Sequence, residues 1–177
     1  RSYQRWRNSC LRCRLVECEL EMSDLNFFTA NAGLADVAKL EVPEMSLLYR
    51  IEMAGELFYN ILADRVGNET AADLLRKNAV EERGHARRLA RMISIKLGHE
   101  WEPTAEEAEL LAVPLPETID SKMFAAVVQG EINGDAGYQR WADAETDEEV
   151  VRLLRLNGRE ETIHAGRAQQ VFDLLNS

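Results

Sequence analysis

Glu82 and His85 stand three residues apart, and so do Glu161 and His164. On a helix this spacing puts a carboxylate and an imidazole on one face, one turn from each other, where both can hold one cation. The two pairs lie inside a repeated phrase. Residues 74–88 read LLRKNAVEERGHARR and residues 153–167 read LLRLNGREETIHAGR. Both fit L-L-R-x-N-x-x-E-E-x-x-H-A-x-R. The same offset pairs Glu52 with Glu131 and Tyr59 with Tyr138. Four glutamates and two histidines, supplied by four helices, are the ligand complement of a two-metal site inside a four-helix bundle.

The electrostatics require metal if these groups face inward. Four carboxylates and two neutral imidazoles carry a formal charge that two divalent cations cancel. Without cations each buried carboxylate costs several kcal/mol. The mixed oxygen and nitrogen set suits iron or manganese, and zinc less specifically. Glu52, Glu82, Glu131 and Glu161 are thus the candidate catalytic residues. With His85 and His164 they are also the candidate metal ligands.

Other repeated positions offer weaker signals. Glu56 and Asp135 follow the upstream glutamates by four residues and read as extra ligands, as a proton relay or, more simply, as partners of basic residues or water at the edge. Tyr59 and Tyr138 lie two turns on, placed to hydrogen-bond ligand carboxylates or to pack with a satisfied hydroxyl. Gly55 and Gly134 permit close helix approach or an open pocket for oxidant. Glu81 and Glu160 flank the motifs, point about 100° away from the ligand face, and read as surface charge. Arg88 and Arg167 read as solvated or ion-pairing. His99 has no counterpart in the repeat and reads as a surface histidine; Trp101 and Trp141 read as packing residues.

Four long helices must position these groups. Pro43 opens the first, since proline fits the first turn, where a missing N–H costs nothing. It runs to about Val66, and Gly67 ends it. Asn68 caps a second helix reaching about Leu97, closed by Gly98. Residues 99–118 hold Pro103, Pro114 and Pro116, with one helical turn around Thr104–Leu111. A third helix starts near Thr118 and runs to about Ala144. Thr146-x-x-Glu149 reads as a capping box for the fourth. Residues 23–42 read as a short helix or loop lying across this body. The fold class is all-α: a four-helix bundle of two pseudo-symmetric helix pairs joined by a long crossover, the ferritin-like topology. The repeat covers 50–98 and 129–177. Ten of the twenty residues from 69 to 88 match their partners, far beyond the one or two expected of unrelated segments.

Residues 43–177 form the expected domain, and 1–42 an N-terminal extension expected to be partly disordered. The three cysteines, Cys10, Cys13 and Cys18, supply only half of a four-cysteine metal knuckle. Met22 would make a natural start, so residues 1–21 read as leader, fragment or translated upstream sequence as readily as part of the native protein. A net charge of −10 argues against nucleic-acid or anionic-membrane partners. No apolar run reaches the roughly 18 residues of a membrane span. Cytoplasm is the expected location.

Over residues 43–177 the chain resembles the ferritin-like di-iron carboxylate superfamily, and within it rubrerythrin-type proteins lacking the rubredoxin domain. The resemblance rests on Glu52 with Tyr59, Glu82-x-x-His85, Gly130-Glu131 with Tyr138, and Glu161-x-x-His164. It implies two iron ions, with manganese the alternative. Glu82 and Glu161 would bridge them, Glu52 and His85 completing one position, Glu131 and His164 the other. It also implies a di-iron peroxidase or oxidase acting on hydrogen peroxide or dioxygen. Electrons would come from a separate donor protein, because the region lacks the cysteine-rich module that rubrerythrins often carry. A homodimer or higher homo-oligomer is implied as well. The 30-residue spacing from the first glutamate to the Glu-x-x-His also resembles the demethoxyubiquinone hydroxylase family, which hydroxylates a quinone ring with the same ligands. Ferritin-like iron oxidation and storage is the third reading.

Overall fold

The computed structural model describes residues 25–177, all of whose extended elements are helices. Cys10, Cys13, Cys18 and the boundary at Met22 lie outside the described residues. Helix α1 spans Phe27–Leu34, α2 Val42–Arg65, α3 Glu69–Leu97, α4 Ser121–Ala144 and α5 Glu148–Asn176. The four long helices hold 24, 29, 24 and 29 residues. Among the described residues no helix is long and apolar enough to cross a membrane.

Local chemistry sets the boundaries. Pro43 occupies the first turn of α2, and Gly67 follows its end with φ of 69°. That left-handed conformation is one that glycine adopts without steric cost. The Asn68 side chain accepts from the Ala71 N–H at 3.0 Å and so caps α3. Gly98, with φ of 72°, closes α3 by donating to the Ser94 and Ile95 carbonyls. Two expected starts are displaced. Helix α4 begins at Ser121 rather than near Thr118, because the Asp120 carboxylate accepts from the Met123 N–H at 3.1 Å. Helix α5 is capped by Asp147, not Thr146. The Asp147 carboxylate takes the Glu149 and Val150 N–H groups, while Thr146 donates to Glu145. A carboxylate at the cap also meets the positive end of the helix dipole.

Helix α2 packs along α3 and α4 along α5; the two pairs meet where α3 runs against α5, and α1 lies on α2. This is a ferritin-like four-helix bundle. Its apolar core is split in two. One cluster gathers Leu48, Leu89, Met92, Trp141 and Leu154; the other gathers Phe58, Leu62, Leu75, Phe124 and Val171. Each fully buried leucine among them contributes about 1.5–3 kcal/mol. Glu52, Glu82, Glu131 and Glu161, one on each long helix, fall where the two clusters meet, so a polar layer crosses the middle of the bundle.

The crossover is tied down. Phe27 donates to the Ala112 carbonyl at 2.9 Å, Arg65 to the Pro116 carbonyl at 2.8 Å, and Trp101 N–H to Ser94 Oγ at 3.0 Å. Trp101 also packs edge-on against Tyr49. Trp141 does more than pack, donating its indole N–H to the Val37 carbonyl at 2.7 Å. His99 is exposed in its loop.

At the α4–α5 turn the buried Glu145 carboxylate receives Lys96 Nζ at 2.8 Å and the Thr146 and Asp147 N–H groups. Burial alone would raise its pKa; Lys96 and the two backbone donors outweigh this and bring it down to about 2. A depressed carboxylate pKa stabilises the fold above its unfolded value, near pH 4.5, and the benefit fades as pH falls toward 2. The shift is equivalent to about 3 kcal/mol. Glu145→Gln should therefore lower stability at pH 7 by roughly 2–3 kcal/mol. The gap from wild type should shrink in denaturant titrations carried toward pH 2, and an undiminished gap would refute the assignment.

Candidate metal centre

The sequence-derived residues Glu52 on α2, Glu82 and His85 on α3, Glu131 on α4, and Glu161 and His164 on α5 converge in the polar layer. Their side chains form two overlapping groups. Glu52, Glu82, His85 and Glu161 offer ligand atoms within 4.8 Å of one another, and so do Glu82, Glu131, Glu161 and His164. Glu82 and Glu161 belong to both groups. All but Glu131 are buried, and both imidazoles are wholly inaccessible. The arrangement is that of a binuclear metal site.

The histidines carry the clearest evidence. His85 Nδ1 lies 3.2 Å from Glu161, 3.4 Å from Glu52 and 3.6 Å from Glu82. His164 Nδ1 lies 3.2 Å from Glu82, 3.3 Å from Glu161 and 3.6 Å from Glu131. Both Nδ1 atoms are nonetheless buried without a hydrogen-bond partner. A buried nitrogen left unpaired is costly. Aimed into a cage of carboxylates, it fits a cation as its missing partner. The opposite nitrogens are engaged: His85 Nε2 meets Glu160 at 3.1 Å and His164 Nε2 meets Glu81 at 3.0 Å. A carboxylate on Nε2–H fixes the tautomer that presents the Nδ1 lone pair to a metal.

Electrostatics agree. Burial raises the pKa of Glu52, with the Glu82 charge adding to it; burial and the Glu161 charge do the same to Glu131. Glu82 and Glu161 are held low despite burial, because both histidines approach them. Burial alone would lower His164, yet the carboxylates of Glu131, Glu161 and Glu82 push it up to about 12. His85 is raised in the same way by Glu160, Glu161, Glu52 and Glu82. The cage attracts positive charge strongly.

The tyrosines reach across the bundle. Tyr59 donates to Glu131 Oε1 and Tyr138 to Glu52 Oε1, each bonding the glutamate of the opposite half. Glu56 and Asp135 belong to neither group. Glu56 pairs with Arg83 at 2.7 Å, and Asp135 accepts from the Thr162 hydroxyl at 2.7 Å. Gly55 gives the Glu82 carboxylate room, since a Cβ there would stand 3.0 Å from Glu82 Oε2.

Glu81 and Glu160 are not the free surface charges their angular position suggests. They do point away from their own ligand faces, but α3 runs against α5, and that contact turns each toward the other helix's histidine. Arg167 Nη1 meets Glu81 at 2.6 Å, and Arg88 pairs with Glu160. Asn78 and Asn157, wholly buried, drew no attention in the sequence. Asn157 accepts from Arg88 and donates to Tyr138 Oη at 3.2 Å; Asn78 accepts from Arg167 at 2.9 Å and donates to the His164 carbonyl at 3.3 Å. The signal was present, because all six residues are identical between the two halves.

Gly158, whose counterpart is Ala79, has less room for an added Cβ than any other described glycine. An added Cβ would sit 2.6 Å from Gln139 Nε2, 2.7 Å from Asp135 Oδ1 and 3.0 Å from Tyr138 Cβ. Gly→Ala inside a helix normally gains about 1 kcal/mol. Gly158→Ala should instead cost about 1–3 kcal/mol from overpacking, because Tyr138 Cβ cannot swing aside. Thermal unfolding would read this as a lowered midpoint, and an unchanged or raised one would contradict the packing.

No curated protein and no solved structure matches the chain. The family model described as Rubrerythrin matches residues 45–172, the span that carries all six groups of the cage, and the chain belongs to the rubrerythrin family.

Proposed function

We propose that the chain is a di-iron oxidoreductase that reduces peroxide, or dioxygen, with electrons from a separate donor protein. Glu52, Glu82, His85 and Glu161 would hold one ion and Glu82, Glu131, Glu161 and His164 the other, with Glu82 and Glu161 shared between them. Two iron ions supply two one-electron couples, matching the two electrons that an O–O bond consumes; manganese is the alternative metal. The observation that carries the reading is the pair of buried, unpartnered Nδ1 atoms facing four carboxylates. The protein's own part is to hold these groups in place. Glu160 and Glu81 orient the imidazoles, while Tyr138 and Tyr59 anchor Glu52 and Glu131.

A second reading, hydroxylation of an apolar substrate, is favoured by one observation. A mostly apolar cavity of about 720 Å³ borders Glu52, Glu82, Glu131 and Glu161.

The deciding experiment is metal analysis of protein purified without oxygen, then addition of peroxide followed by absorbance. About two irons per chain and rapid oxidation are expected. No metal, or one redox-inert ion, would overturn the proposal while leaving the bundle intact.

A further inference from the structure

The correspondence between the halves breaks down along one face of α4. Ile51 is answered by Gly130, Phe58 by Gly137 and Leu47 by Ala126, at the offset that pairs the glutamates. Each of these three bulky residues of α2 corresponds to a small one on α4. The space so released is the cavity of about 720 Å³. The backbones of α2 and α4 stand apart, bridged by the Tyr59–Glu131 and Tyr138–Glu52 hydrogen bonds, and α1 forms a further wall of the opening between them. Phe27, Phe28, Ile51, Phe58, Val127 and Trp141 contribute apolar walls, and Glu52, Glu82, Glu131 and Glu161 line the cavity as well.

Hydrogen peroxide does not need this space. It is about the size of two water molecules, each of roughly 30 Å³. The apolar walls also offer it no hydrogen bonds. A volume of this size, apolar but for a few convergent polar groups, suits a small organic ligand. A protein segment filling the cavity would block access to the carboxylates.

Resting on the peroxide-reducing reading above, we propose that the cavity binds the apolar tail of an organic hydroperoxide, with its O–O group at the carboxylates. The O–O bond would break on taking up two protons from solvent and two electrons, which two divalent metals would supply when bound in the cage. The oxygen attached to carbon takes one proton and leaves as the alcohol. The terminal oxygen takes the other and leaves as water. A separate one-electron donor protein returns both electrons to the metals.

The test uses the iron-loaded chain with hydrogen peroxide and with ethyl, butyl, hexyl and octyl hydroperoxide. The half-saturating concentration should fall about two- to fourfold per added methylene until the cavity is full, with hydrogen peroxide weakest. Ala126→Phe and Gly130→Leu fill the space from α4. A Cβ at Gly130 meets nothing within 4 Å. Both variants should raise the half-saturating concentration of octyl hydroperoxide at least tenfold, and metal content should hold. Calorimetric binding of 1-octanol gives a readout independent of turnover, and it should weaken at least tenfold in the same variants. Full iron with no length dependence and no octanol binding would overturn the apolar site alone, leaving peroxide reduction standing. A chain that binds octanol but takes up no iron would overturn the hydroperoxide together with the peroxide reading. Oxygen-dependent hydroxylation of octane without hydroperoxide reduction would overturn the proposal in favour of hydroxylation.

Discussion

Glu161→Ala should empty both metal positions at once. The Glu161 carboxylate belongs to both ligand groups, reaching His85 Nδ1 at 3.2 Å with one oxygen and His164 Nδ1 at 3.3 Å with the other. Glu82 is placed the same way, 3.6 Å from His85 and 3.2 Å from His164. Removing either shared carboxylate takes a ligand from each ion and a negative charge from between them. Metal content should drop from about two ions per chain to near none. His85→Ala removes a ligand from one group only and should damage one position more than the other. Thermal unfolding gives an independent reading. A metal held at about a thousand times its dissociation constant stabilises the native state by about 4 kcal/mol. Wild-type protein should gain such a margin on metal addition and Glu161→Ala should lose it. Equal metal content in the two proteins would sink the ligand set.

Much of this centre was legible in the sequence, because its ligands follow helical spacing and recur at one fixed offset. Glu82-x-x-His85 and Glu161-x-x-His164 are local patterns, and local patterns survive without coordinates. Helix ends marked by glycine, such as Gly67 and Gly98, were equally legible, since positive φ selects that residue. The start of α5 was not. Thr146 and Asp147 are adjacent cap formers, and the choice between them fell to Glu145, whose buried pairing with Lys96 depends on tertiary contact. The roles of Glu81 and Glu160 were hidden for a related reason. Angular position on a single helix says which way a side chain points, but not which neighbour stands there. The cavity was hidden too, although its cause lies in the sequence: Gly130 and Gly137 stand where the first half has Ile51 and Phe58. An internal repeat draws the eye to what matches, and this opening is made by what does not.

The crossed pairing of Glu81 and Glu160 leads to a result that sequence proximity would misassign. Glu160 is the immediate neighbour of Glu161 and stands four residues before His164, yet its carboxylate meets His85 on α3. Glu160→Ala should therefore weaken the position that contains His85, and Glu81→Ala the position that contains His164. Loss of a carboxylate holding a ligand imidazole typically costs about 10–100-fold in metal affinity. Glu160→Gln keeps an oxygen that accepts from Nε2–H and should recover part of the affinity. Double mutants decide the route of action. If Glu160 acts through His85, adding Glu160→Ala to His85→Ala should cause little further loss, whereas adding it to His164→Ala should give roughly the sum of the two effects. Anaerobic metal titrations of wild type, the three single variants and the two double variants read this directly. The opposite pattern, coupling to His164 and additivity with His85, would mean that Glu160 acts within its own helix and that the crossed arrangement does not govern metal binding.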